Sequence, residues 1–183
     1  RNYHAEGKNC YIKDINFDSK GRPVIYYVTS DNHLTGPAGG PRIHCVARWT
    51  GKKWAFSSFA ESTHCYDSGS LWSDGDELTI ITPSDPGPQL WGTGGEMVMW
   101  KSRDCGKSWK RHRTLTHNSP RNHGYARRPL NCNDDFYAFW ADGNPDKRSI
   151  SYLYFCNSKG DVFRMPYKMD SEWQKPEVVT VVE

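Results

Sequence analysis

Short runs of β-branched and aromatic residues recur along the chain, each closed by Gly, Pro, Asn or Asp. Runs of this kind predict strands, and the residues between them predict turns. No apolar repeat near 3.6 residues lasts long enough to predict a helix. Three groups of runs look alike. The first holds Val24-Ile25-Tyr26-Tyr27-Val28-Thr29, then Arg42-Ile43-His44-Cys45-Val46-Ala47-Arg48-Trp49, then Lys53-Trp54-Ala55-Phe56. The second holds Asp76-Glu77-Leu78-Thr79-Ile80-Ile81-Thr82, then Glu96-Met97-Val98-Met99-Trp100 and a basic run from Lys110. The third holds Asp134-Asp135-Phe136-Tyr137-Ala138-Phe139-Trp140, then Ser151-Tyr152-Leu153-Tyr154-Phe155-Cys156 and Val162-Phe163-Arg164-Met165. The period is 54 to 59 residues, and a weaker strand opens each group, at 10–17, 68–72 and 128–132.

Four short strands repeated at this period are the unit of a β-propeller. The pattern predicts an all-β chain, one incomplete propeller over residues 1–183, with antiparallel blades at about 8–59, 66–116 and 126–183. Propellers close with about four to eight blades. Three therefore leave missing blades to be supplied by a longer chain. Strand parity then sorts the loops. The turns joining strands 1–2 and 3–4 of a unit fall at one end, and the 2–3 loops and unit-to-unit connections fall at the other. The second end receives the long loops 30–41 and 83–95, which carry His33 and Trp91, and the connections 60–67 and 117–128.

Ser102-Arg103-Asp104-Cys105-Gly106-Lys107-Ser108-Trp109 lies in the 3–4 turn of the second unit. Asp104 is placed to accept hydrogen bonds from turn N–H groups. Gly106 can supply a positive φ. Trp109 opens the returning strand and is expected to be largely buried. The pattern Ser-x-Asp-x-Gly-x-Ser-Trp resembles the Asp-box, or BNR repeat, of sialidase-like propellers. Its role is architectural. The run Asn122-His123-Gly124-Tyr125-Ala126-Arg127-Arg128-Pro129 and the later Phe136 to Asn144 stretch are similar to BNR-repeat proteins described as neuraminidase-like. Ulvan lyases are propellers of the same broad group. That resemblance implies a polysaccharide lyase with paired catalytic histidines, a Tyr and an Arg. His44 and His64, 20 residues apart, match the histidine spacing; Tyr125 and either Arg127 or Arg128 are the matching Tyr and Arg.

The residues themselves point to the same end of the molecule. His64-Cys65-Tyr66 and His123-Gly124-Tyr125 stand 59 residues apart, each expected just before the first strand of a unit. His44, His64, Tyr125, Arg127 and Arg128 are the candidate catalytic residues. His123, Tyr66, Trp91 and His33 are the candidate substrate contacts. A lyase must neutralise a uronate carboxylate, which Arg or His⁺ does by charge-assisted hydrogen bonds. A Tyr or His then moves the proton. A sialidase would instead need an arginine cluster and paired acids. Glu61, Asp67, Glu96 and Asp142 are its candidate acids, and Arg42-Ile43-His44 echoes only part of its usual opening. A third reading, a non-catalytic glycan-binding propeller, needs only the aromatics.

Composition narrows the partners. Aromatics make up 14% of residues, including 8 Trp and 10 Tyr, which favours strands and carbohydrate contact. The net charge of +3 suits an anionic glycan, and the basic residues form no long stripe of the kind that binds nucleic acid. No run of 18 apolar residues predicts a membrane span. The 6 cysteines include no Cys-x-x-Cys pair, so most are expected to be buried thiols, with room for one or two disulfides. No cofactor and no metal is expected. The resemblance implies a secreted or periplasmic protein.

Overall fold

The computed structural model describes every residue except 65, 67, 68 and 180–183. The described chain is all-β apart from one 3₁₀ turn, Pro37–Gly39. Three separate antiparallel sheets follow one another along the chain. The first holds β1 (Asn9–Phe17), β2 (Pro23–Ser30), β3 (Arg42–Trp49) and β4 (Trp54–Ser62), in that order. The second holds β5 (Ser70–Asp74), β6 (Glu77–Asp85), β7 (Glu96–Ser102) and β8 (Lys110–Thr114). The third holds β9 (Asn122–Arg127), β10 (Ala138–Gly143), β11 (Leu153–Cys156), β12 (Val162–Arg164) and β13 (Glu177–Val179).

The third sheet departs from the expected pattern twice. Its first strand is Asn122–Arg127, not 128–132, and a fifth strand, β13, pairs with β12. The segment 128–132 begins next to Pro129, which lacks the N–H a ladder needs. The expected first strand of the second sheet began at Ser68, which lies outside the described residues; the observed β5 begins at Ser70.

The sheets stack face to face. Val24, Tyr26, Val28 and Val46 of the first sheet meet Leu71, Leu78 and Ile80 of the second. Trp72, Ile81, Met97, Met99 and Leu115 of the second meet Ala126, Ala138, Trp140, Tyr154, Cys156 and Val162 of the third. The middle sheet is thus covered on both faces, and β6 is buried from Leu78 through Ser84 without alternation. By contrast, β1 and β4 alternate between exposed and covered positions along most of their length.

The first strands of the three sheets lie side by side. Leu71 N donates to Asp14 Oδ2 (2.7 Å) and Asn16 Nδ2 donates to Leu71 O (2.9 Å), joining β1 to β5. Ser70 Oγ donates to Ala126 O (2.9 Å), joining β5 to β9. Arg128 Nη2 reaches Asp14 Oδ2 at 3.8 Å, so the third sheet also reaches the first.

The 1–2 and 3–4 turns are tied together at one end of every sheet. Arg22 Nη1 donates to Thr50 O (2.9 Å), Cys105 N to Asp76 O (3.0 Å) and Ser158 N to Asp134 O (2.8 Å). Within the Asp104 turn, Asp104 Oδ1 accepts from Lys107 N (3.0 Å) and Ser108 N (2.9 Å), and Oδ2 accepts from Ser108 Oγ (2.6 Å). Burial pushes its carboxyl up and is the largest single effect, but these donors together with Ser102 Oγ (2.8 Å) outweigh it and hold the pKa down at about 2. Gly106 has φ 76°. Trp109 is half-buried rather than largely buried; its indole N–H donates to Ser57 Oγ (3.2 Å) on β4 of the preceding sheet.

Candidate functional site

The predicted site residues are spread over strands β3 and β9, the residue after β9, the segment after β4 and the two 2–3 loops that carry His33 and Trp91. His44 sits at the start of β3 and faces the second sheet. Its ring stacks on Tyr26 with centroids 5.9 Å apart. The Tyr26 hydroxyl lies between His44 Nδ1 (2.7 Å) and Thr82 Oγ1 (2.8 Å). His44 Nε2 is buried without a hydrogen-bond partner among the described residues. Loss of hydration pushes its pKa down to about 3, with His64 and Lys13 adding to the shift. His64 follows β4 and is also buried. Burial pushes its pKa down to about 4; a hydrogen bond with the Gly94 backbone opposes the shift, and Lys13 and Arg42 reinforce it.

Lys13 was not a sequence candidate. It belongs to β1, and the register of β1 against β2 shifts between Ile12 and Asp14, so Lys13 is the extra residue of a β-bulge. A bulge re-aims a side chain, and one residue number carries no sign of it. The Lys13 ammonium lies 5.7 Å from the Tyr11 ring, and Tyr11 meets Tyr66 edge-on at 6.3 Å. Tyr66 is partly exposed, and its hydroxyl donates to His33 O (2.8 Å), latching the sheet connection to the 30–41 loop. The His33 ring is at the surface; its carbonyl, not its imidazole, makes this contact. Lys13, His44, His64, Tyr11, Tyr66 and Arg42 thus occupy the wedge between the first and second sheets and its mouth.

His123, Tyr125 and Arg127 lie elsewhere. His123 is inside β9, not before it, so it is not the positional equivalent of His64. Its side chain is buried between the second and third sheets. Trp140 Nε1 donates to His123 Nδ1 (3.0 Å), which fixes the proton on Nε2; Nε2 then donates to Ser119 Oγ (3.0 Å). Ser119 Oγ donates onward to Glu96 Oε2 (2.8 Å). The proton order runs from His to Ser to Glu, so His123 is not a base for Ser119. Burial lowers the His123 pKa, and Glu96 and Asp142 only partly offset this.

Tyr125 occupies a second bulge, opposite Trp140, with φ 59°. Its ring points outward, with the Arg127 guanidinium 5.7 Å above it. Arg127 pairs with Phe139 and shares the free face of the third sheet. Arg128 lies at the inner strands beside Asp14. Tyr125 and Arg127 thus meet each other, while His44 meets Tyr26 and Phe59.

The acid candidates separate too. Glu96 accepts from Thr116 Oγ1 (2.5 Å), Ser119 N (2.7 Å) and Ser119 Oγ (2.8 Å) and is buried. Asp142 is buried against Arg121, with Nη2 at 2.7 Å. Asp67 lies outside the described residues. Glu61 lines a cleft of about 560 Å³ with Pro37, Pro41, Arg42, Thr63 and Trp91. Among the described residues no cluster of His, Cys, Asp and Glu has a metal-binding arrangement, and Cys10, Cys45, Cys105, Cys132 and Cys156 are free thiols. No helix among them is long and apolar enough to cross a membrane.

Comparison of the chain with protein-family models, with curated proteins and with solved structures gave no match.

Proposed function

We propose that the three sheets are blades of a β-propeller of the BNR-repeat kind, and that the chain contributes to a polysaccharide lyase acting on uronic acid residues. The side-by-side first strands and the tied turns support the radial arrangement. The observation that carries the chemistry is the wedge between the first two sheets: two histidines held neutral next to Lys13 and Arg42. Neutral imidazole is the form that accepts a proton, and a lysine ammonium is the kind of group that offsets a uronate carboxylate.

In this reading Lys13 takes the charge-neutralising place that the resemblance assigns to Arg127 or Arg128. His64, next to Thr63 at the cleft, accepts the proton α to the carboxylate. The C–H electron pair becomes the new C=C bond, and the bond from the adjacent carbon to the glycosidic oxygen breaks. Tyr66, the exposed phenol at the mouth, returns a proton to the leaving oxygen. His44 is enclosed by Tyr26 and Phe59 and acts as a positioning residue. A sialidase reading loses support because Glu96 and Asp142 are buried and already bonded.

The test is incubation with polysaccharides rich in glucuronic, iduronic or mannuronic acid, read by the ultraviolet absorbance of an unsaturated uronate. His64→Ala should lower turnover by about 10² to 10⁴, the usual cost of one acid–base group. New reducing ends without that absorbance would replace elimination by hydrolysis. Binding without product would leave a glycan-binding module.

A further inference from the structure

The loop joining β6 to β7 is held in one shape by a single buried side chain. Asn122 Nδ2 faces three loop carbonyls, Gln89 O (2.9 Å), Thr93 O (3.1 Å) and Gly94 O (3.2 Å). Its Oδ1 accepts from Gln89 N (3.1 Å), and its own N–H donates to Gln89 Oε1 (3.0 Å). Three glycines allow the loop to sit this close. A Cβ on Gly87 would stand 2.2 Å from Asn122 Oδ1, one on Gly94 would stand 2.6 Å from His123 O, and one on Gly92 would meet Pro145 at 2.4 Å.

Trp91 sits at the tip of this pinned loop with φ 67°. For a bulky residue that conformation costs on the order of 1–3 kcal/mol and persists only where its surroundings enforce it. The ring does not repay the cost by packing: Trp91 is 38% exposed and stacks on no other ring among the described residues. A large apolar ring held at the surface by a rigid, strained loop suits a flat apolar ligand face. Below it, Glu61 and Arg42 line the same cleft. Arg42 is 1% exposed; its Nη groups donate to Gly36 O (2.8 Å) and Leu34 O (2.6 Å), while Nε is buried without a protein partner.

We infer that this cleft is a pyranose subsite in which Trp91 stacks on one sugar face, Glu61 accepts hydrogen bonds from ring hydroxyls, and Arg42 supplies positive charge beneath. Thr63 lines the cleft and is bonded to His64, so the sugar held here is adjacent in the polymer to the uronate at His64. The inference rests on the lyase reading for the order of the two sugars, but not for the stacking itself.

Two measurements on the same chain separate the claims. Quenching of intrinsic fluorescence by a glucuronic-acid polysaccharide reads binding, and ultraviolet product formation reads turnover. Trp91→Ala should weaken binding and raise KM by about tenfold, the order expected for one aromatic contact, with kcat kept within about threefold. Trp91→Phe should recover most of the loss, which a merely misfolded loop would not. His64→Ala should do the reverse, lowering kcat with binding kept. If Trp91→Ala leaves binding and KM unchanged, the subsite is wrong even where His64→Ala abolishes turnover. If wild type binds and Trp91→Ala does not, yet no product forms, the subsite stands and elimination fails. No binding of any uronate polymer by the wild type would overturn both.

Discussion

Three histidines titrate far below their ordinary range because the fold takes them out of water. His44 is lowered to about 3 and His64 to about 4, and His123 is lowered as well, burial being the first cause in each. Each is neutral when folded and has an unfolded pKa of about 6.5. Between those values the unfolded chain binds more protons, so stability rises with pH there. Denaturation midpoints should hold steady above about pH 7 and fall as pH drops from 6.5 toward 4. Each histidine contributes about 1.4 kcal/mol per pH unit at most in that window. His44→Gln or His123→Gln should flatten the slope. A pH-independent midpoint across this range would show that these imidazoles are hydrated.

Asp104 behaves with the opposite sign. Its folded pKa lies below the unfolded value, so its contribution is present above about pH 4 and disappears as pH falls toward 2. Asp104→Ala removes the acceptor of two backbone N–H groups and two hydroxyls. By analogy with a lost helix cap, the expected cost is about 1–2 kcal/mol at neutral pH. Product formation per folded molecule should be unchanged, because the turn lies at the end of the sheets away from His64.

At the scale of the strand, the sequence showed which runs form strands and largely where they start. β3 spans the whole run from Arg42 to Trp49, and the middle sheet follows its three strong runs. The failure at β9 has a physical cause. Asn122-His123-Gly124-Tyr125-Ala126-Arg127 is polar and contains Gly, so it reads as a loop; it is held as a strand by Asn122, by Trp140 on His123 and by Ser70 on Ala126. All three partners are distant in sequence. The bulges at Lys13 and Tyr125 hide for a related reason: an extra residue is a property of two strands together, here β1 with β2 and β9 with β10. Repeat spacing alone equated His64 with His123, although one follows β4 and the other lies within β9.

Asp142 gives a test at this scale. Its carboxylate accepts from Arg121 Nε (3.0 Å) and Nη2 (2.7 Å), Tyr152 N (2.6 Å) and Tyr154 OH (3.2 Å), and so ties β10 to the chain entering β11. Removing one partner of a buried pair leaves the other charge without compensation. Arg121→Ala should therefore destabilise by about 3–5 kcal/mol, whereas the double change Arg121→Met with Asp142→Asn should recover much of the loss. Equal stability of Arg121→Ala and wild type in urea would mean that water replaces the guanidinium.

The whole molecule has two outer sheet faces, one at each end of the stack. On the first sheet, Ile12, Ile15 and Phe17 of β1 stand in register with Tyr27, Ile25 and Pro23 of β2; Tyr3 packs on Tyr27, which is buried with Cys45 and Ala47, while Ile12, Ile15, Phe17 and Phe56 of β4 stay exposed. On the third, Phe139, Phe155, Phe163 and Val178 form one cross-strand row, with Phe136 at 5.2 Å from Phe155 and Leu153 beside Ala141. The interior faces of the stack use the same kinds of residue against a neighbouring sheet. At the ends, Ile15 remains 47% exposed, Phe17 57% and Leu153 47%. Apolar patches of this kind on a soluble chain drive association. The chain by itself should thus sediment as a concentration-dependent mixture and bind a hydrophobic dye. Ile15→Lys with Leu153→Lys should shift it toward monomer and reduce dye binding, while leaving the folded spectrum intact because neither side chain enters the two buried interfaces. A monodisperse wild-type monomer that does not take up the dye would show that these faces need no neighbour, and would remove the main physical reason for expecting further blades.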